Sequence, residues 1–240
     1  MSLRFTELDR RRTPLGDLSL RRRREPTSGQ EIYEVKLGDE YLMSSMFVEA
    51  EVELARIALA AVPDRPTLDV VVGGLGLGYT ARTVLEDPRV RELVVVDALA
   101  EVIEWHLDGL VPLGPGLTGD PRSRMVHGDF FALVAGDRAL DGGAPRRFDV
   151  IAVDIDHSPR HVLNAGHSAF YTPDGLGRLR THLVPGGAFA LWSNDPPDAD
   201  FLATLALVFP DATARVVGFP NPLQGREATN TVYLGTSPGE

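Results

Sequence analysis

The 240 residues suit one domain, or one domain with a small appendage, and are enough to bury a sizeable core. A composition of 43% hydrophobic and 24% charged residues excludes a mostly disordered chain, and the lack of cysteine excludes disulfides and thiolate metal sites. The net charge of −10 is uneven: residues 1–24 hold eight arginines against Glu7, Asp9 and Asp17 and carry +5, which leaves −15 on the remainder. An acidic body repels nucleic-acid phosphates and suits a small cationic partner. No apolar run approaches the roughly 20 residues that cross a bilayer, and the start has no apolar stretch of the signal-peptide type. A cytoplasmic protein that engages neither nucleic acid nor membrane is the expectation. The four arginines at 21–24 are expected in a solvated strand or loop paired with the acidic body, in preference to an RNA-binding patch.

The first 60 residues differ from the rest. Residues 18–23 and 31–37 read as short strands separated by Pro26-Thr27-Ser28-Gly29, and Gly38-Asp39-Glu40 turns the chain into a third over 41–43. Phe47, Val48, Val52, Leu54, Ala55, Ile57, Ala58 and Leu59 follow at helical spacing, and Pro63 stops that helix. From Leu68 onward strands and helices alternate. Strands are expected over 68–72, 92–96, 124–127, 148–153 and 188–192, the last preceded by a turn at Pro185-Gly186-Gly187. Helices are expected from the glycine run to Leu85 and over 99–107, 173–183 and 198–208. Residues 135–147 read as a surface loop, and 213–218 with 229–234 as an antiparallel pair. This order predicts a mostly parallel sheet covered on both faces.

In such a sheet ligands bind beyond the carboxyl ends of the strands, and polar residues collect there. Gly74, Gly76 and Gly78 allow backbone to approach a ligand closely, ahead of a helix N-terminus with free N–H groups. Tyr79 stands where the dinucleotide pattern G-x-G-x-x-G needs glycine, which disfavours NAD; a packing turn is the other reading of the run. Asp97 ends the second strand, where it serves either as a helix cap or as acceptor for both hydroxyls of a ribose. Asp129 ends the third, as an N-cap or as a contact to an adenine edge. Asp154 and Asp156 end the fourth; two apart, they face the same side if the strand continues, unless one of them caps a helix. His157, His161 and His167 crowd the same loop, but Ser158-Pro159 argues against the helix that would align them on a metal, so no metal site is assigned. Asn194, after Trp192-Ser193, is placed on the acceptor side, with Trp192 equally readable as core; Tyr79 and Trp105 are expected in the core.

Gly73-Gly74-Leu75-Gly76-Leu77-Gly78, Val95-Val96-Asp97, His127-Gly128-Asp129, Asp149-Val150-Ile151-Ala152-Val153-Asp154 and Leu183-Val184-Pro185-Gly186-Gly187 together resemble the spermidine synthases, and the resemblance covers most of the chain. Those are aminopropyltransferases on the S-adenosylmethionine methyltransferase fold. The resemblance implies an α/β, Rossmann-like seven-stranded domain over 61–240, preceded by a β-rich segment and linking helix over 1–60, and a homodimer. It also implies S-adenosylmethionine or its decarboxylated form as co-substrate, held by Gly74, Gly76, Gly78, Asp97 and Asp129. Asp154 would be the catalytic group that orients an attacking amine and takes its proton, with Asp156, His157, Glu49 and Asn194 binding the substrate.

Three positions depart from the family pattern. Its acidic residue in the glycine loop is Gly76 here, its second aspartate after the fourth strand falls on His157, and the first two residues of its Tyr-His-Glu are Phe47 and Val48. The expectation is therefore an alkyl transfer from an adenosyl sulfonium to a small amine, with methyl transfer slightly favoured over polyamine aminopropyl transfer. A non-catalytic nucleoside-binding protein is a further alternative.

Overall fold

The computed structural model describes residues 5–26, 28–136, 138–221 and 225–239. Thr27 in the expected turn and Asp137 in the expected 135–147 loop lie outside them. The chain begins with a four-stranded antiparallel meander: β1 (Phe5–Thr13), β2 (Gly16–Arg24), β3 (Glu31–Leu37) and β4 (Glu40–Ser44), in that spatial order. β1 is an addition to the expected strands. Its sequence is too charged to show apolar alternation, yet it pairs along its length with β2 as an edge strand.

The arginines at 21–24 lie on β2, a strand as expected, and three of them meet acids on the neighbouring strands. Arg23 meets Glu34 at 2.7 Å, Arg22 meets Glu31 at 3.7 Å and Arg21 meets Glu7 at 3.9 Å. Glu31 and Glu34 belong to the acidic remainder of the chain, as expected, whereas Glu7 comes from the basic segment itself. Cross-strand pairing of opposite charges holds the small sheet together.

α1 (Glu49–Ala60) leads into a seven-stranded sheet. Its elements are β5 (Leu68–Gly73), α2 (Tyr79–Glu86), β6 (Val90–Asp97), α3 (Ala100–Leu107), α4 (Gly114–Gly119), β7 (Ser123–His127), α5 (Phe130–Ala135) and β8 (Phe148–Val153). A 3-10 helix (Ala165–Tyr171) follows, then α6 (Pro173–Thr181), β9 (Leu183–Ser193), α7 (Ala199–Ala206), β10 (Thr213–Asn221) and β11 (Arg226–Thr236). The spatial order is β10-β11-β9-β8-β5-β6-β7. β7, β6, β5, β8 and β9 run parallel, while β11 is antiparallel to both β9 and β10. This is the expected Rossmann-like α/β architecture with a small β-rich sheet before it.

The central strands are buried on both faces, so their residues divide by parity. Val70 and Val72 enter one core with Leu54 and Ala58 of α1 and Leu18, Leu20 and Val35 of the meander. Val71 enters the other, with Phe130, Phe148, Phe189 and Tyr233. The shared first core fixes the meander over the carboxyl ends of the large sheet. Pro185-Gly186-Gly187, expected as a turn, is instead a bulge early in β9, where pairing with β8 jumps from Leu183 to Ala188.

Candidate active site

A cavity of about 510 Å³ lies at those carboxyl ends, roofed by the meander. The sheet order lays out its floor: Asp129 follows β7, Asp97 ends β6, Gly74 and Gly76 follow β5, Asp154 follows β8, Trp192 and Asn194 belong to β9 and its exit, Thr229 and Asn230 to β11, and Phe219 to β10.

The glycine loop does two different jobs. Gly74 has φ +94°, and a Cβ there would collide with the backbone carbonyl of Asp154, so glycine lets β5 and β8 open side by side onto the cavity. Gly76 also lines the cavity. Gly78, expected among the ligand-binding glycines, does not: it faces Leu117 and His106, and its role is helix packing. His106 Nε2 lies 3.0 Å from the Gly76 carbonyl, and burial lowers the imidazole's pKa, so the neutral ring donates its N–H to that carbonyl.

Asp97 accepts the N–H of Leu75 and of Leu99, each at 2.8 Å, one on each carboxylate oxygen. It therefore braces the glycine loop and the turn into α3 while facing the cavity. Burial raises its pKa, opposed by those N–H donors. Asp129 caps α5 through the Ala132 N–H at 3.1 Å and also lines the cavity. For both residues a bond from backbone N–H and a cavity-facing carboxylate coexist, since each oxygen has a second lone pair; only Asp129 is a helix cap.

Asp154 is half-buried, and the hydroxyl of Thr80 donates to it at 2.9 Å. Burial raises its pKa to about 6, with the Thr80 bond opposing. Close to it is Glu51, a residue not singled out from sequence. Burial first, then the Asp154 charge, raises Glu51 to about 8. Two partly desolvated carboxyls that repel each other retain a proton near neutrality and gain from a cation placed beside them.

Glu49, expected to bind substrate, is exposed, and its carboxylate takes the Val48 N–H at 3.0 Å; Glu51 is the acid that α1 turns into the cavity. The helical pattern carried the signal. Glu51 is three and four residues from Leu54 and Ala55, both fully buried, so it shares their face of α1.

Asp156, also expected to bind substrate, faces away from the cavity. β8 stops at Val153, so the strand alternation that would align Asp154 with Asp156 ends before either residue. Asp156 instead accepts from Leu163 N, His167 Nδ1 and Tyr171 Oη, each at 2.8 Å, and fastens the returning loop.

His157 lines the cavity, and its Nε2 pairs at 2.8 Å with Glu40 of β4, linking the loop to the meander. The backbone N–H of Asn194 donates to the His157 carbonyl at 2.7 Å, and Asn230 donates to the Asn194 side chain at 3.1 Å. The three loop histidines go to separate carboxylates, His157 to Glu40, His161 to Asp195 and His167 to Asp156. Trp192 lines the cavity while packing on the core; Trp105 is fully buried with its indole N–H on Asp9 at 2.7 Å, and Tyr79 packs half-buried against the same core.

Met43 of β4 reaches down from the meander onto the glycine loop. The Leu77 N–H points at its sulfur, and a Cβ on Gly76 would overlap that sulfur.

No protein-family profile matches the chain. Sequence relatives do. A polyamine aminopropyltransferase of Pyrobaculum arsenaticum is 35% identical over 117 residues, 49% of this chain and 39% of that protein. Polyamine aminopropyltransferase 2 of Pseudomonas aeruginosa is 30% identical over 175 residues, 69% of this chain and 45% of that protein. The chain thus spans less than half the length of these relatives.

Among solved structures, spermidine synthase from Thermotoga maritima matches with a TM-score of 0.73 at 18% identity, over 96% of this chain and 72% of that one. Human Methyltransferase-like protein 13 in complex with SAH matches at 0.57 and 22% identity, over 80% and 82%. Identities this low speak to the fold.

The preference for methyl transfer is corrected by these findings. The sequence relatives are polyamine aminopropyltransferases, not methyltransferases. Nor does Gly76 leave the cavity short of acid, because Glu51 and Asp154 supply it from α1 and β8.

Proposed function

Because the chain belongs to the spermidine synthase-like family, we propose that it transfers an aminopropyl group from decarboxylated S-adenosylmethionine to a small amine. The observation that carries the reading is the half-buried Glu51–Asp154 pair lining the cavity beside the glycine loop, an anionic centre poised for a cation. The cavity volume lies within the ~300–1,000 Å³ usual for small-ligand sites. Its residues fit the donor: Asp97 keeps lone pairs for two ribose hydroxyls, Asp129 keeps an oxygen for an amino group, and Gly74 and Gly76 leave room for the nucleoside. In this reading residues 1–60 lid the site and 61–240 bind the nucleoside.

An alkylammonium has no free lone pair at neutral pH. Asp154 orients it and accepts its proton as the nitrogen attacks the propyl carbon. The new N–C bond forms while the C–S bond breaks, its electron pair staying on sulfur to give methylthioadenosine. Thr80 holds the carboxylate that takes the proton. The meander excludes water, and the fixed strand tips supply alignment. Of the residues expected at the acceptor, His157 and Asn194 remain assigned to it, Glu51 takes the place of Glu49, and Asp156 positions the loop.

Incubation with decarboxylated S-adenosylmethionine and a panel of small amines tests the proposal. Amine-dependent release of methylthioadenosine is expected. Binding of the nucleoside without any turnover would instead favour a non-catalytic binding protein.

A further inference from the structure

The glycine loop lacks an acid at Gly76, so selection between the decarboxylated donor and intact S-adenosylmethionine must reside elsewhere. The two donors differ by one carboxylate, carried on the same carbon as the terminal ammonium. If that ammonium is drawn to the Glu51–Asp154 pair, the extra carboxylate comes within a few ångströms of two acids and is repelled. It needs a compensating donor, and the loop preceding a helix N-terminus is where an anion finds one.

Here the Leu77 N–H is taken. Met43 Sδ sits against the Leu77 nitrogen, and the same sulfur fills the space over Gly76. Met43 arrives from β4 and lines the cavity in its own right. A thioether is a weak acceptor with no proton to donate, so a carboxylate pressed against it loses water and gains no bond. An uncharged methylene meets no such penalty, and the polarizable sulfur packs well against it.

We propose that Met43 is a donor-specificity residue: by occupying the Leu77 amide and the volume above Gly76, it excludes the carboxylate of S-adenosylmethionine and leaves the decarboxylated donor admissible. This rests on the aminopropyl-transfer reading above. It assigns to a side chain of the small sheet a selection that the glycine loop here has no acid to perform.

The test is calorimetric titration of the wild type, Met43→Ala and Met43→Leu with S-adenosylmethionine and its decarboxylated form. S-adenosylhomocysteine and methylthioadenosine form a second pair, differing in the presence of the aminocarboxypropyl chain. The wild type is expected to prefer the decarboxylated donor. Met43→Ala uncovers the amide and is expected to narrow that preference by about tenfold, through tighter binding of the carboxylate-bearing ligands. Met43→Leu keeps the amide covered and is expected to keep the preference.

An unchanged ratio in Met43→Ala overturns the proposal, as does parallel weakening of both donors, which is what a purely structural role predicts. If the alanine variant folds poorly, Met43→Thr carries the same test on a residue suited to a strand. A wild type that binds both donors equally overturns the role of Met43 alone, whereas one that binds neither sinks the aminopropyl-transfer reading with it.

Discussion

The cavity has two unlike halves. Over β8, β5, β6 and β7 it is lined by glycine backbone and by Asp154, Asp97 and Asp129, with Glu51 added from α1; these are all the acids among its described lining residues. Over β9, β11 and β10 it is lined by Trp192, Asn194, Asn230, Thr229 and Phe219, amides, a hydroxyl and rings without a carboxylate. Each half is fixed by a different kind of bond. The acidic half is pinned by backbone N–H groups donating to carboxylates at parallel strand tips. The neutral half is pinned by side-chain amides across an antiparallel pair and by Phe47, between β4 and α1, against Phe219, ring centroids 5.6 Å apart. The contrast locates the chemistry: charge is handled where the sheet is parallel and buried, and shape is handled at the antiparallel edge.

The strongest way to break this division is at its boundary. Asp154→Asn keeps the shape and the Thr80 contact but removes the proton acceptor, and turnover is expected to fall about 10²–10⁴-fold. Steady-state rates of methylthioadenosine release decide it, and an unaffected kcat would move the proton acceptor away from β8.

Next in size is the loop that joins the two halves. Asp156 carries three donors at full burial, so Asp156→Ala strands the Tyr171 hydroxyl, His167 Nδ1 and the Leu163 N–H, and is expected to cost about 3 kcal/mol in urea unfolding. Were it a substrate ligand and not an anchor, stability would hold while amine binding fell.

Asp97→Asn comes third. It replaces one acceptor oxygen by an amide that meets a backbone N–H head-on, and nucleoside affinity is expected to drop by about 10- to 100-fold, equally for methylthioadenosine and for either donor. A loss confined to amine binding would place the nucleoside elsewhere.

These residues also mark what a linear sequence discloses. Asp97 and Asp154 were legible because each follows a β-branched run and Asp129 because it follows a short strand closed by Gly128, and in a parallel sheet the strand ends gather on one rim. Glu51 was hidden by its neighbour: two glutamates two residues apart on a helix point to different sides, and the family-like position of Glu49 outweighed helical phase. Asp156 was misjudged because strand alternation was carried past Val153, where the sheet had already ended. β1 escaped because an edge strand held by charge pairs shows no apolar period. Met43 could not be found at all from one dimension, since nothing in β4 states which loop lies beneath it.

The finest test sharpens the electrostatic side of the comparison. Glu51 has a folded-state pKa above its unfolded value, so its contribution to stability is present below pH ~4 and is lost as pH rises toward about 8. The unliganded protein is therefore expected to melt at progressively lower temperature between pH 5 and 8, and Glu51→Gln is expected to flatten that slope. A bound cation reverses the effect by favouring both carboxylates, so amine or donor binding near pH 7 should expel a fraction of a proton from the pair. Titration calorimetry in buffers of different ionisation enthalpy counts that proton, and the count should vanish in Glu51→Gln. Equal release from the variant and the wild type would show that the cation is held on the neutral half, by rings and amides, and not by the acids that face it across the sheet.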